Sequence, residues 1–366
     1  MRVPAIIRSG WWVAAAALVV SILTAVIVLT LQRKAPGDVL EAGDFVIGTA
    51  TAERELIVRG MPTNGVQTLV QPATISPREI ERFNEEERGK LLVSTDRVIG
   101  VSIGGESRAY PLRLMRWHEV VNDVVGGEPI AVTYSPLCDS VVVFSTGSRS
   151  DAVELGVSGL LFNSNPLLYD RRKGPRTSSL WRQLDGQPVA GPDPGHEKPL
   201  QPRVAELVTW QDWRARHPDT RVLAQQPDMK RLYKRDPYHS YFGSDKLRFP
   251  VAPLPPETGL RLKDRIVVID IDVNTAVLPL ARFGAIRGTS EITVADVPLR
   301  VTYDAEIGVA AVEALTDTER LKSVRYSFWF AWYALKRTIP DNIRTDNSGV
   351  SFFNSDPTTT QSPGGA

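Results

Sequence analysis

The chain has 366 residues, 42% hydrophobic and 23% charged, which is enough for two domains with their own cores and too apolar for a disordered protein. Lys and Arg total 43 against 42 Asp and Glu, and the net charge of +1 gives no global field to recruit nucleic acid or an acidic substrate. The one cysteine excludes an intramolecular disulfide and a CxxC redox or zinc pair, while 27 Pro and 27 Gly predict many turns and a β-rich fold.

The first predicted element is an anchor. Trp11 to Leu31 runs 21 residues without a charge, long enough as a helix to cross the hydrocarbon layer of a bilayer. Trp11 and Trp12 suit the interface, Arg2 and Arg8 precede the run, and Arg33 and Lys34 follow it. A cleaved signal peptide is the alternative, but its apolar core is shorter and no small-x-small site precedes Arg33. We expect residues 1–34 to tether an extracytoplasmic region to the membrane, with 35–60 as a linker.

Further on, Ser76-Pro77-Arg78-Glu79 reads as a capped helix start, with Pro at the first helical position and Glu three residues after the cap. Gly104-Gly105 between Arg97–Ile103 and Ser107–Tyr110 predicts a hairpin, and Pro129–Tyr134 with Val141–Ser145 predicts a second strand pair. Thr209-Trp210-Gln211-Asp212-Trp213 opens a short helix that stops near His217-Pro218. Residues 346–366 are expected to be a disordered tail, because Asn354 to Ala366 is poor in apolar residues.

A longer-range pattern overlies these elements. At a shift of 168, Asp96-Arg97-Val98-Ile99 meets Asp264-Arg265-Ile266-Val267, and Pro111-Leu112 meets Pro279-Leu280. At 169, Pro129 meets Pro298 and Val132-Thr133-Tyr134 meets Val301-Thr302-Tyr303. Ordered matches of this kind predict an internal duplication. The expected fold is therefore α+β and β-rich: a first lobe over 61–255, a related second lobe over 256–345, and one N-terminal transmembrane helix. His118 and Cys138 have no counterpart in the second copy, where Ile307 matches Cys138, so any site is expected in the first lobe.

Several segments carry a family resemblance: Ala109-Tyr110-Pro111-Leu112, Trp117-His118-Glu119-Val120-Val121-Asn122-Asp123 and Val132-Thr133-Tyr134-Ser135-Pro136-Leu137-Cys138. Gly156-Val157-Ser158-Gly159, Asn163-Ser164-Asn165, Tyr169-Asp170-Arg171, Thr177-Ser178-Ser179-Leu180-Trp181 and Phe328-Trp329-Phe330-Ala331-Trp332 extend it from about residue 60 to 340. With these the chain resembles the bacterial and archaeal DUF3179 family, a domain of unknown function. The resemblance implies a fold and no activity. Members often carry Tyr-Cys-Pro-Leu-Cys where this chain has Tyr134-Ser135-Pro136-Leu137-Cys138, so paired-thiol chemistry does not carry over. Arg172-Lys173-Gly174-Pro175 also reads as an insertion.

Cys138, after Pro136 and beside Asp139, suits a nucleophile or a soft metal ligand once deprotonated, and suits a small buried hydrophobe equally well. If Trp117–Asp123 is helical, His118 and Asn122 share a face bordered by Glu119 and Asp123, orienting an imidazole as base or ligand; the alternative is a hydrogen-bonded turn. The candidate catalytic residues are Cys138, His118 and Asp123, and Cys138 with His118 is the candidate site for copper or zinc. Tyr134, Ser135, Asn122 and Asn163 join them as binding candidates from the family segments. Asp170, Arg171, Ser179 and Trp181 form a second polar group, able to bind a polar ligand or to order a loop. His196, His217 and His239 read as surface or turn residues, and Phe328–Tyr333 as core. No P-loop, GxGxxG, HExxH, GxSxG or EF-hand spacing occurs. Two functions are thus expected: a metal- or thiol-dependent site for redox or metal handling at the cell envelope, or a non-catalytic module binding a glycan, peptide or membrane partner.

Overall fold

The computed structural model describes residues 44, 45, 47, 54–86, 90–192, 197–283 and 286–340. The expected anchor, most of the linker, the tail and His196 lie outside them. Among the described residues no helix is long and apolar enough to cross a membrane.

The described chain is β-rich, with five short α-helices and three sheets. In chain order the first strands are β1 (Ile57–Arg59), β2 (Leu69–Val70), β3 (Thr74–Ile75), β4 (Arg97–Ile103), β5 (Glu106–Pro111), β6 (Val120–Val125), β7 (Glu128–Ser135) and β8 (Ser140–Ser145). The middle of the chain gives β9 (Leu155–Phe162), β10 (Asn165–Asp170), β11 (Leu180–Arg182), β12 (Pro188–Ala190), β13 (Gln201–Pro202), β14 (Glu206–Thr209) and β15 (Arg221–Leu223). The last part adds β16 (Arg265–Ile271), β17 (Asn274–Pro279), β18 (Arg287–Val294), β19 (Val297–Asp304), β20 (Val309–Ala314) and β21 (Leu321–Phe328). The helices are α1 (Pro77–Glu86), α2 (Leu112–His118), α3 (Trp210–Arg216), α4 (His239–Phe242) and α5 (Trp329–Lys336).

Local chemistry sets these elements. At the start of α1, Ser76 and Glu79 bond reciprocally: the Ser76 N–H donates to Oε2 at 2.7 Å and the Glu79 N–H to the Ser76 hydroxyl at 3.3 Å. Gly104 and Gly105, both at positive φ, close the β4–β5 hairpin. Thr209 caps α3 by accepting from the Asp212 N–H. In β4, Gly100 leaves room for the Trp213 ring, which would lie 2.2 Å from an added Cβ, so α3 packs flat on its sheet.

Three sheets stack. One eight-stranded sheet runs β18-β19-β20-β14-β4-β5-β15-β3, and the second runs β17-β16-β21-β8-β7-β6-β2 with β13 beside β8. Their facing sides share the largest apolar core, including Ile99, Tyr110, Val132, Val267, Leu299 and Tyr326. The third sheet, β1-β9-β10-β11-β12, covers the other side of the second across a core of Phe144, Trp181, Trp329 and Phe330. Helices α1 and α3 cover the outer side of the first sheet through Ile80, Trp210 and Trp213.

Each large sheet takes strands from both sides of residue 255, so that point divides neither sheet. The hairpin β4–β5 shares a sheet with the meander β18–β20, while the hairpin β16–β17 shares one with the meander β6–β8. The registers correspond: Val98 pairs with Pro111 as Ile266 pairs with Pro279, and Tyr134 with Val141 as Tyr303 with Ala310. The joining strands correspond too, since β21 meets β8 at Tyr326–Val141 and β14 meets β20 at Leu207–Ala310. Each joining strand is followed at once by a helix that begins with Trp, α3 at Trp210 and α5 at Trp329.

Candidate functional site

Helix α2 ends at His118 because Glu119 turns the backbone to φ +57° while its N–H bonds the Met115 carbonyl. The β-branched run Val120–Val125 then continues as a strand, where side chains alternate between faces. The expected helical face of His118 and Asn122 does not form. Asn122 instead joins β6 to β9, accepting from the Leu155 N–H at 2.8 Å and donating to its carbonyl at 2.9 Å.

His118 is fully buried and both ring nitrogens are engaged. Nδ1–H donates to the Gln67 carbonyl at 2.7 Å, which leaves Nε2 to accept from the Tyr233 hydroxyl at 2.6 Å. Burial holds the imidazole below its ordinary pKa, keeping it neutral. No lone pair remains for a metal or for base chemistry.

Cys138 is also fully buried, in the apolar core between the second and third sheets. Its thiol donates to the Ser164 carbonyl at 3.3 Å. Burial pushes it up to about 12, although the Asn165 amide and the Ser135 hydroxyl favour the thiolate. A thiol this hard to ionise is a poor nucleophile and a poor ligand. Among the described residues no three His, Cys, Asp or Glu side chains gather as a metal site. The copper or zinc expectation for Cys138 and His118 finds no support, because each donor already has its own protein partner.

The other candidates are dispersed. Asp123 accepts from Arg108 at 2.8 Å and from the Tyr110 hydroxyl at 2.9 Å. Asn163 donates to the Ala252 carbonyl and accepts from its N–H. Asp170 accepts from the Arg172 N–H, Arg171 pairs with Glu154, Ser179 bonds Glu197, and the Trp181 indole donates to the Lys198 carbonyl. His217 bonds Ser107 and stacks on Trp213, the turn role expected for it, and His239 opens α4. Trp329, Phe330, Ala331 and Trp332 are core residues.

Around Cys138 the family segments interlock. Ser140 donates to Gln183 Oε1 at 2.6 Å, and Gln183 donates to Thr133 at 2.9 Å. Asn165 joins Gln183 at 3.3 Å and accepts from the Leu184 N–H. This buried network ties the second sheet to the third. The Ser135 hydroxyl, wholly buried, has the Cys138 sulfur as its neighbour.

Two residues at the same end of the meander were named in the sequence only as neighbours of the candidates. Asp139 follows Cys138 at φ +42° and accepts from Arg97, Arg265 and the Tyr134 hydroxyl. Burial raises its pKa, but the two guanidinium groups outweigh burial and hold the carboxyl at about 2. Glu119 is the opposite case. It is 5% exposed, its carboxyl has no hydrogen-bond or ion-pair partner among the described residues, and burial alone raises it to about 8. Its backbone is pinned, since its carbonyl accepts from the Tyr134 N–H at 2.8 Å. At the shift of 169, Glu119, Ser135, Cys138 and Asp139 fall on Gly288, Asp304, Ile307 and Gly308. At these four positions the two matched segments carry different residues.

The loop before and through α4 lies over that end, where the Tyr241 hydroxyl donates to the Leu137 carbonyl at 2.7 Å. Burial, and then the charge of Glu119, raise the Tyr238 phenol. Tyr238 is also a wall of a cleft of about 740 Å³, together with Gln67, Thr68, Arg116, Trp117 and Leu232. Arg116 pairs with Asp236 at 2.6 Å. Thr68 Oγ1, Arg116 Nε and Trp117 Nε1 are buried without a partner among the described residues.

A three-sheet, β-rich body with a polar network built from the motif segments defines the class. The chain belongs to the DUF3179 family, described as a protein of unknown function, whose model matches residues 72–339. No curated protein and no solved structure matches it.

Proposed function

We propose that the protein is a membrane-tethered, extracytoplasmic binding module and that the cleft beside α2 is its ligand site. The observation that carries this reading is the contrast in hydrogen bonding. Cys138, His118, Asn122 and Asn163 are consumed inside the fold, whereas the cleft is walled by Trp117 and Tyr238, with three buried donors in its wall residues that have no partner among the described residues. Aromatic faces with convergent donors suit a carbohydrate, whose C–H face is apolar and whose oxygens accept. Arg116 and Arg171 are each paired to a carboxylate, so they give an anionic ligand little advantage.

In this reading the Trp11–Leu31 segment is the tether. The two hairpin-and-meander units descend from one duplicated ancestor, a view supported by their matching registers. The first unit kept its polar end and acquired the covering sheet β9–β12.

The test is calorimetric titration of the full-length protein in lipid nanodiscs with neutral oligosaccharides, beside Trp117→Ala and Tyr238→Ala. Saturable binding lost in both variants is expected. Binding that is absent, or indifferent to both substitutions, contradicts the reading.

A further inference from the structure

Each of the three sheets is open, and most of their edge strands are blunted. β1, β2, β3 and β12 are two or three residues long, and β17 closes on Pro279, which has no N–H to offer. β18 is the exception. It runs eight residues, Arg287–Val294, without a proline, and pairs with β19 over its whole length without a bulge. Among the described residues no strand lies on its other side. At the shift of 169 it falls on β6, whose outer edge does take a strand, β2, through Leu69–Val121 and Val70–Asn122.

The ladder fixes which backbone groups of β18 are open. The Ala305 N–H donates to the Ile286 carbonyl at 2.7 Å, one step beyond the Arg287–Asp304 pair. Hydrogen-bonded pairs alternate along an antiparallel ladder. Ile286, Gly288, Ser290 and Ile292 therefore bond towards β19, while the N–H and C=O groups of Arg287, Thr289, Glu291 and Thr293 point out from the edge. Side chains alternate too: Ser290 and Ile292 are buried towards the core, and Arg287 and Thr289 are exposed on the outer face with Glu291. Ile286 falls in line with Ile292, yet it is 65% exposed.

We propose that β18 is a two-fold dimer interface, pairing antiparallel with β18 of a second copy about Thr289. The strand is self-complementary in that register. Arg287 stands opposite Glu291 of the second copy on both sides of the axis, and the outward backbone groups bond in the pairs Arg287–Glu291 and Thr289–Thr289. Ile286 comes to lie beside Ile292 of the second copy, which covers it. A centre on Ser290 keeps the backbone bonds but loses both charge pairs, and a centre on Glu291 sets two carboxylates together. In the single chain Arg287 pairs with Asp212 and Glu291 with Arg300, exposed pairs worth too little to hold either side chain back. The charge match favours a second copy over an unrelated strand. The inference is independent of the carbohydrate reading of the cleft.

The experiment introduces Thr289→Cys into the full-length protein in detergent, where the one native thiol, Cys138, is buried. Across a hydrogen-bonded pair the two Cα atoms stand about 5.5 Å apart, within the span of a disulfide. Mild oxidation of Thr289→Cys is expected to give a covalent dimer, whereas Thr293→Cys, about 27 Å from its copy in this register, gives none. Sedimentation over a concentration series follows the affinity. Arg287→Glu should weaken the dimer about tenfold, and adding Glu291→Arg should restore it. Thr289→Pro should leave a folded monomer, because the N–H it removes points away from β19. A monomer at every concentration, cross-linking at Thr293 as strong as at Thr289, or an Arg287→Glu defect that Glu291→Arg does not repair overturns the proposal. A monomer whose Thr289 and Glu291 amides resist hydrogen exchange overturns it as well, and assigns the edge to a segment of the same chain.

Discussion

Arg97 and Arg265, which begin the two hairpins matched at the shift of 168, close on one carboxylate: Asp139 lies 3.1 Å from the first and 2.7 Å from the second. The position matching Asp139 in the other unit is Gly308, where an added Cβ would lie 2.4 Å from the Arg265 side chain. One fully buried acid therefore answers two guanidinium groups and ties the hairpins of both halves to the Cys138 turn.

Removing that charge leaves two arginines facing each other. Asp139→Asn should cost about 3–5 kcal/mol, the usual range for breaking a buried pair. Urea unfolding of the wild type and the variant measures it, and a loss below about 1 kcal/mol contradicts the account. Because the folded pKa of about 2 lies below the ordinary carboxylate value, this contribution is present above about pH 4 and fades as pH falls towards 2.

Glu119 acts in the other direction. Its folded pKa of about 8 exceeds the ordinary 4.5, so between these values the folded state holds a proton that the unfolded state has lost. Stability should fall as pH rises through that window, by at most on the order of 5 kcal/mol. Glu119→Gln should flatten the slope and leave the protein more stable than wild type at pH 8. Unfolding midpoints from pH 5 to 9 decide the matter; parallel curves for the two proteins contradict it.

Cys138 should behave as a packed thiol. Alkylating reagent is expected to modify it only after unfolding, and purified protein should carry no more metal than Cys138→Ser or His118→Ala. Cys138→Ala should cost about 1–2 kcal/mol through a small cavity. Rapid labelling of the native protein, or metal lost on either substitution, speaks against the structural role.

The tether has a simple readout. The protein should sediment with membranes, and protease added to intact spheroplasts should digest the region beyond residue 35. Full protection contradicts the orientation, and a soluble form lacking residues 1–34 contradicts the anchor.

Much of the local fold was legible because it is written in short-range chemistry. The reciprocal Ser76–Glu79 cap, the Gly104-Gly105 turn and the Thr209 cap all depend on residues at most three positions apart. The Trp117–Asp123 segment misled because its polar spacing matches a helix, while the positive φ at Glu119 that breaks it is invisible in a sequence. Nor does any periodicity report that the hairpin β4–β5 shares a sheet with β18–β20 and β16–β17 with β6–β8, since the joining pairings span more than 100 residues. The motif segments do meet at one end of the first meander, but their residue types carried nothing of its chemistry. His118 and Cys138 looked reactive by residue type, and burial with local acceptors removed that reactivity. Glu119 stood inside the quoted motif and was read only as a border of the His118–Asn122 face, because an unpartnered carboxyl is a property of its surroundings.

The most direct test of the central claim is chemical-shift mapping of the indole and guanidinium N–H signals while a neutral oligosaccharide is titrated into the protein. The account predicts saturable shifts at the Trp117 indole and the Arg116 Nε–H, two cleft-wall donors without a partner among the described residues, with the Trp213 indole unmoved because it already donates to Thr220. Shifts spread evenly over all the tryptophans, or no shift at Trp117 at saturating ligand, would contradict it.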